Sequence, residues 1–262
     1  MAKVISISNQ KGGVGKSAST VSLGIGLARK GKKVLLIDAD PQGSMTASLG
    51  FEEPDEIRET LASVMTAIIN DEEQDPSEGI LSHEEGVDLL PGNIDLSGLE
   101  VLLGNVMSRE SILKVYIDTI RDRYDYILID CMPSLGMITV NAMVASDSVL
   151  IPVQAAYLSI KGLQQLLRTI SMVQKRLNKG LFIEGILLNM VDFRTNYARD
   201  ISKMLCDAYG AYIPIFETAI PASVKAAEAS SVGVSIYTHC PKSKLAAAYE
   251  ALTEEVLAHE TR

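Results

Sequence analysis

The stretch "SNQKGGVGKSAST", residues 8 to 20, sets three glycines and two lysines between an apolar run, "VISIS" (4 to 8), and a helical pattern, "STVSLGIGLARKG" (19 to 31). A strand, a glycine-rich turn and a helix, in that order, let backbone N–H groups and the positive end of a helix dipole cradle phosphate oxygens. Glycine is needed because a side chain would obstruct both the turn and the close approach of the backbone. In such a loop Lys16 reaches the β- and γ-phosphates of a nucleotide and the Ser17 hydroxyl ligates Mg2+. The strict GxxxxGK[ST] spacing is broken, since Gln10 stands where its first Gly belongs, and a second lysine, Lys11, is left to explain.

Outward from the loop, further apolar runs follow: "KVLLID" (33 to 38), "YDYILID" (124 to 130), "SVLIPV" (148 to 153) and "IEGILLNM" (183 to 190). Continuous apolar runs of this length read as strands covered on both faces. Helical patterns lie among them at 111 to 123, 159 to 180 and 197 to 210, with Ser starts or Gly stops. Alternating β and α segments predict an α/β fold, a doubly wound, mostly parallel sheet with helices on both faces. The whole chain, 1–262, is expected to form a single P-loop domain. Residues 52–86, acidic and carrying Pro54 and Pro76, are expected as a rim insertion with one helix in "DEIRETLASVMTAIIN", and "KSKLAAAYEALTEEVLAHE" as a closing surface helix.

The 262 residues carry a net charge of -9, which argues against coating nucleic acid by overall charge. The distribution is uneven: residues 50 to 130 hold 20 acidic and 5 basic side chains, whereas 160 to 205 hold 8 basic and 3 acidic, so one face can be basic. Cys131, Cys206 and Cys240 are too few and too scattered for a disulfide framework or a zinc site. No apolar run approaches the ~18 residues of a membrane span, and "MAKVISIS" lacks the features of a secretory signal. A cytoplasmic protein is expected.

The run "KGGVGKS" is the deviant form of the Walker A loop, and here the chain resembles the ParA/MinD family of ATPases, most closely the short ParA (Soj) type, over nearly its whole length. The resemblance implies slow, partner-stimulated hydrolysis of ATP with Mg2+. It implies that the loop, Lys11, Gly12, Gly13, Val14, Gly15, Lys16, Ser17 and Ala18, binds ATP, and that Lys11 reaches across a nucleotide-sandwich homodimer to the partner's phosphates. In "VLLIDADPQG" (34 to 43), Asp40 would orient the attacking water and Asp38 organise the loop near phosphate and metal. Two acids at a strand end are also ordinary turn residues, and they gain this reading only beside the glycine loop. Asp130, ending "YDYILID", would hold Mg2+ through water or through Ser17; Met132 stands where the family has a first proline, and Pro133 remains. Asn189 and Pro221 match positions near the adenine.

Family members of the short type bind DNA without sequence preference as ATP dimers and release it when a ParB-type partner stimulates hydrolysis, a cycle that partitions chromosomes or plasmids. A nucleoid-associated position within the cytoplasm would follow. Lys175, Arg176, Lys179, Arg194, Arg199, Lys203 and Lys225 are candidate contacts to double-stranded DNA, and for any one of them an ordinary solvated charge is an equal alternative. The chain departs from the pattern at "IPASVK", which puts Ala222 and Lys225 where Soj-like proteins often carry arginines. Related readings share the nucleotide residues: a positioning ATPase for a protein cargo, a MinD-like membrane-cycling ATPase, or a metabolic relative such as dethiobiotin synthetase or the nitrogenase iron protein. The membrane reading needs a basic amphipathic terminal helix, and "ALTEEVLAHETR" is mostly acidic. The metabolic reading needs a substrate pocket or paired cluster cysteines.

Overall fold

The computed structural model describes residues 1–73, 75–155 and 157–259. Among them the chain runs β1 (Lys3–Ile7), α1 (Lys16–Arg29), β2 (Val34–Ala39), α2 (Ser44–Ser48), α3 (Leu61–Ile69), β3 (Leu81–Ser82), β4 (Asp88–Leu90), α4 (Asp95–Leu102), α5 (Ile112–Ile120), β5 (Tyr126–Cys131), α6 (Met137–Ala145), β6 (Ser148–Gln154), α7 (Tyr157–Arg176), β7 (Phe182–Asn189), α8 (Asn196–Tyr209), α9 (Lys225–Val232), α10 (Ile236–His239) and α11 (Lys244–His259). The strands form one sheet in the order β3-β4-β2-β5-β1-β6-β7, parallel except where β3 meets β4.

Side chains alternate across a strand, and the two sets go to separate cores. Ile5, Ile7, Leu36, Leu128 and Leu150 pack against α1 and α11, while Val4, Leu35, Ile37, Ile127 and Ile129 pack against α3, α5 and α6. Val149 and Ile151 continue that second face towards α7 and α8. Fully burying each such side chain contributes roughly 1.5–3 kcal/mol, which is why the strands show no polar face. The expected doubly wound α/β sheet is present.

The stretch 52–86 corrects the expectation in part. It is not confined to the rim, because Leu61, Ala62, Val64 and Met65 of α3 are buried in the second core. The tail helix α11 is closer to expectation, laying Leu245, Tyr249, Leu252 and Val256 on α1.

Topology places the site. The chain leaves β1 towards β2 on one side and later crosses from β5 over β1 to β6, so the winding changes direction beside β1. Crevices outside the carboxyl ends of strands at such a point are where ligands bind in open α/β sheets.

Candidate active site

The loop between β1 and α1 is shaped by two left-handed residues, Gly13 at φ 70° and Gly15 at φ 81°. A Cβ on Gly15 would also come within 2.6 Å of the Asn189 amide, whereas one on Gly12 or Gly13 meets nothing within 4 Å. The inner wall of the loop is therefore packed by the chain itself, and its outer wall is left open.

Side chains distant in sequence hold it there. Asn9 donates from Nδ2 to the Pro152 carbonyl on β6 (2.7 Å) and accepts from the Lys11 N–H (3.0 Å). Gln10 donates to the Gly162 carbonyl on α7 (3.1 Å). Asn189, 1% exposed at the end of β7, donates from Nδ2 to the Val14 carbonyl (3.0 Å), more weakly to that of Gly15 (3.4 Å), and to Ser19 Oγ (3.0 Å). Its Oδ1 accepts from the N–H of Met190, which sits in the left-handed region at φ 54°. The amide expected near adenine thus donates to the loop's own carbonyls and to Ser19. Pro221 stands alongside it, bridged to Val191.

Lys16 is nearly buried and folds back so that Nζ donates to the Lys11 carbonyl at 3.5 Å. It faces carboxylates on two neighbouring strands. Asp38 on β2 and Asp130 on β5 are register partners, so both project to one side of the sheet. Asp38 is fully buried, and its oxygens are taken: Oδ2 accepts from the Thr46 N–H and hydroxyl (both 2.8 Å) and Oδ1 from the Asp40 N–H (3.2 Å). Burial pushes its pKa up to about 6 against the pull of those donors. Asp130 is 1% exposed, and neither oxygen has a hydrogen-bond partner among the described residues. Burial first, and then the neighbouring Asp38, push its proton affinity well above the carboxylate range; Ser17 and Lys16 lie close enough to lower it, but Ser17 completes no hydrogen bond.

A buried carboxylate lacking donors beside a hydroxyl suits a hard divalent cation, which takes oxygen ligands. Ser17 and Asp130 fit Mg2+ on this ground. Both Asp38 oxygens, by contrast, already accept hydrogen bonds from Thr46 and Asp40. Asp40, 9% exposed, accepts from the Gln42 N–H (3.0 Å) through one oxygen. Cys131, next to Asp130, is buried, and burial pushes its thiol up to about 12, so it stays a neutral core side chain.

Lys11 lines a cavity of about 520 Å3 with Gln10, Pro133, Ser134, Leu135, Gly162 and Gln165. Larger hollows of about 710 and 560 Å3 lie around α3, lined by none of the loop residues and walled by carboxylates such as Glu72 and Glu73, which repel a triphosphate.

All seven candidate DNA contacts are exposed. Arg194, Arg199 and Lys225 stand near the carboxyl end of β7, the end that carries the loop, whereas Lys175 and Arg176 close the far end of α7 and Lys179 follows it, with Lys203 midway along α8. Arg194 is bound bidentately by Asp192 (2.8 and 2.9 Å), whose pKa falls to about 2 through that bond. Arg199 donates to the Phe193 carbonyl.

Thr46, Asn9 and Gly92 escaped the sequence reading. Gly92 donates to Thr46 Oγ1 (3.1 Å), and a Cβ there would lie 2.3 Å from the Asp38 carbonyl oxygen. Nothing in their spacing marks these residues, because each acts on a partner from another strand or helix.

The family described as "AAA domain" matches residues 2–183. The sporulation initiation inhibitor protein Soj of Bacillus subtilis (strain 168) is 42% identical over 99% of this chain and 100% of its own length. The chromosome partitioning protein ParA of Caulobacter vibrioides is 38% identical, covering 98% of this chain and 95% of that one. Among solved structures, cobyrinic acid a,c-diamide synthase from Mycobacterium smegmatis, with bound ATP analog and magnesium, superposes with a TM-score of 0.87 at 35% identity, over 100% of this chain and 96% of that one.

Proposed function

The chain belongs to the AAA domain family and within it to the ParA-type ATPases, and from that premise we propose that it works as a nucleotide-gated dimer in partitioning a chromosome or plasmid. ATP and Mg2+ are its cofactors, and it hydrolyses ATP to ADP and phosphate. Lys16 and the loop N–H groups hold the phosphates, and Ser17 and Asp130 would hold the cation, whose charge would offset that of the phosphates. Asp40 orients the attacking water, since a loose phosphoryl transfer needs position more than basicity. Lys11 serves the nucleotide of a second copy across the interface, where a preplaced cation in a water-poor site stabilises the transferring group.

One observation carries this reading. A full set of groups for the chain's own phosphates, Lys16, Ser17 and the donor-free Asp130, coexists with a second lysine on the lip of an open cavity. In the dimer the exposed Lys175, Arg176, Lys179, Arg199, Lys203 and Lys225 contribute to non-specific binding of double-stranded DNA in the nucleoid, and a ParB-type partner speeds turnover. Asn189 and Pro221 stand beside the loop, on the side where the base would lie.

A second reading, a positioning ATPase with a protein cargo, is favoured by the pairing of Arg194 with Asp192 and by Ala222 at a family arginine position. The membrane-cycling reading has less support. The apolar residues of α11 lie on α1, no helix among the described residues is long and apolar enough to span a bilayer, and residues 260–262 lie outside those described.

The test combines light scattering with gel retardation on a D40A chain. With saturating MgATP, D40A should be dimeric and should retard duplex DNA at low salt, and K11A should remain monomeric. A monomeric D40A sinks the sandwich, while a dimer that ignores DNA selects the protein-cargo reading.

A further inference from the structure

Helix α6 begins without a cap of its own. Gly136, its N-cap residue, supplies no side chain, and its first turn contains no acidic residue. The first N–H groups of a helix need acceptors, and here they come from another helix. Glu100 of α4 accepts from the Met137 N–H at Oε1 (2.5 Å) and from the Ile138 N–H at Oε2 (2.9 Å). The fit is close: a Cβ on Gly136 would lie 2.1 Å from Glu100 Oε1, so a side chain there would push the carboxylate off the N–H groups it accepts from.

What this carboxylate grips matters more than the helix it caps. Residues 132–136 are the whole connection between Asp130–Cys131 at the end of β5 and α6. Within it the Ser134 N–H donates to the Met132 carbonyl (2.8 Å) and the Gly136 N–H to Ser134 Oγ (3.1 Å), so the connection is folded on itself. Pro133, Ser134 and Leu135 form the wall facing Lys11 across the 520 Å3 cavity. One turn further on, α6 is held to α5: Asn141 donates to the Arg109 carbonyl (2.7 Å) and accepts from the Leu113 N–H (3.1 Å). The start of α6 is thus tied through Glu100 to α4, and its next turn through Asn141 to Arg109 and α5.

We infer that Glu100 is a positioning residue for ATP hydrolysis: through the start of α6 it fixes the 132–136 connection, and hence the wall opposite Lys11 and the end of β5 that presents Asp130. It touches no phosphate, so its loss acts on the arrangement reached for phosphoryl transfer and spares the Lys16 loop that binds nucleotide. The inference rests on the ATPase activity of the family.

The experiment compares Glu100→Ala and Glu100→Gln with the unaltered chain and with K16A, measuring MgATP turnover, ADP affinity by calorimetry and thermal midpoint. Glu100→Ala should lower kcat about tenfold or more, as small misplacements at a distance do, with the Kd for ADP within about twofold. Glu100→Gln keeps the shape and one acceptor but turns an NH2 group towards the second N–H, and its kcat should fall in between. Unchanged kcat in both variants, whatever their thermal midpoints, overturns the inference, as does a loss of ADP affinity as large as the loss of kcat. If Glu100→Ala does not fold, Glu100→Gln decides alone. An unaltered chain no faster than K16A would instead remove the ATPase activity beneath the inference.

Discussion

Replacing Asn189 by Ala separates two readings of one amide. If it is a strut, the substitution strips the Val14 carbonyl and the Ser19 hydroxyl of a donor and the Met190 N–H of its acceptor. A buried polar group left unsatisfied costs about 1–3 kcal/mol. Two of the three partners are backbone groups, and Met190 also loses the bond that accompanies its left-handed conformation. For the two backbone partners the sum is about 2–6 kcal/mol, a large share of the 5–15 kcal/mol by which a domain is stable. Urea unfolding of the nucleotide-free chain should show that loss. Affinities for ATP and GTP with Mg2+ should fall together, because the whole loop loosens, and their ratio should hold. Stability within about 0.5 kcal/mol of the parent, together with a collapsed preference for ATP, would refute the strut and make the amide a reader of the base.

Three further outcomes follow from the same geometry. Asp130→Asn should stabilise the nucleotide-free chain by about 1 kcal/mol, as relief of a strained site does, while weakening Mg2+-dependent ATP binding; a lower thermal midpoint without nucleotide would contradict the donor-free environment. Thr46→Val removes a 2.8 Å hydroxyl donor from the buried Asp38 and should cost about 1–3 kcal/mol in thermal unfolding, and a neutral effect would mean that Asp38 is already protonated. Glu184 is buried, which alone would raise its pKa, but bonds from Ser148 (2.7 Å), Lys3 (2.9 Å) and His259 (3.0 Å) outweigh burial and hold it below its ordinary 4.5. A lowered carboxylate stabilises above its unfolded value and loses that contribution as pH falls through the folded one. Unfolding measured from pH 7 downwards should therefore show the parent losing its advantage over Glu184→Gln only below about pH 4.5, and parallel curves for the two would refute it.

The parts of this molecule that were legible in sequence are those whose cause is local. The strand-loop-helix at 3–29 is written in an apolar run, glycines and a helical period within one stretch, and the buried strands in runs apolar on both faces. What was not legible depends on neighbours the chain meets later. Helix α6 buries Ile138, Thr139 and the whole of 141 to 145, so it has no polar face and no amphipathic period to read. Strands β3 and β4, of two and three residues, are too short to alternate. That α3 covers the sheet follows from the edge pairing of β4 with β2, which draws the acidic segment inward.

The same division runs through the site. Lys16, Ser17, Asp38, Asp40 and Asp130 stand in recognisable stretches, but what each carboxylate can do depends on its surroundings. Asp38 and Asp130 both end apolar strands and lie in register, yet Thr46 donates to one, while among the described residues no hydrogen-bond donor reaches the other. A phosphate loop must also be open on one side and rigid on the other. Its open side belongs to glycines that any motif search finds; its rigid side belongs to Asn9, Gln10 and Asn189, whose partners lie 143 to 175 residues away. Substituting the first group tests the chemistry, and substituting the second tests whether the lysines stand where that chemistry needs them.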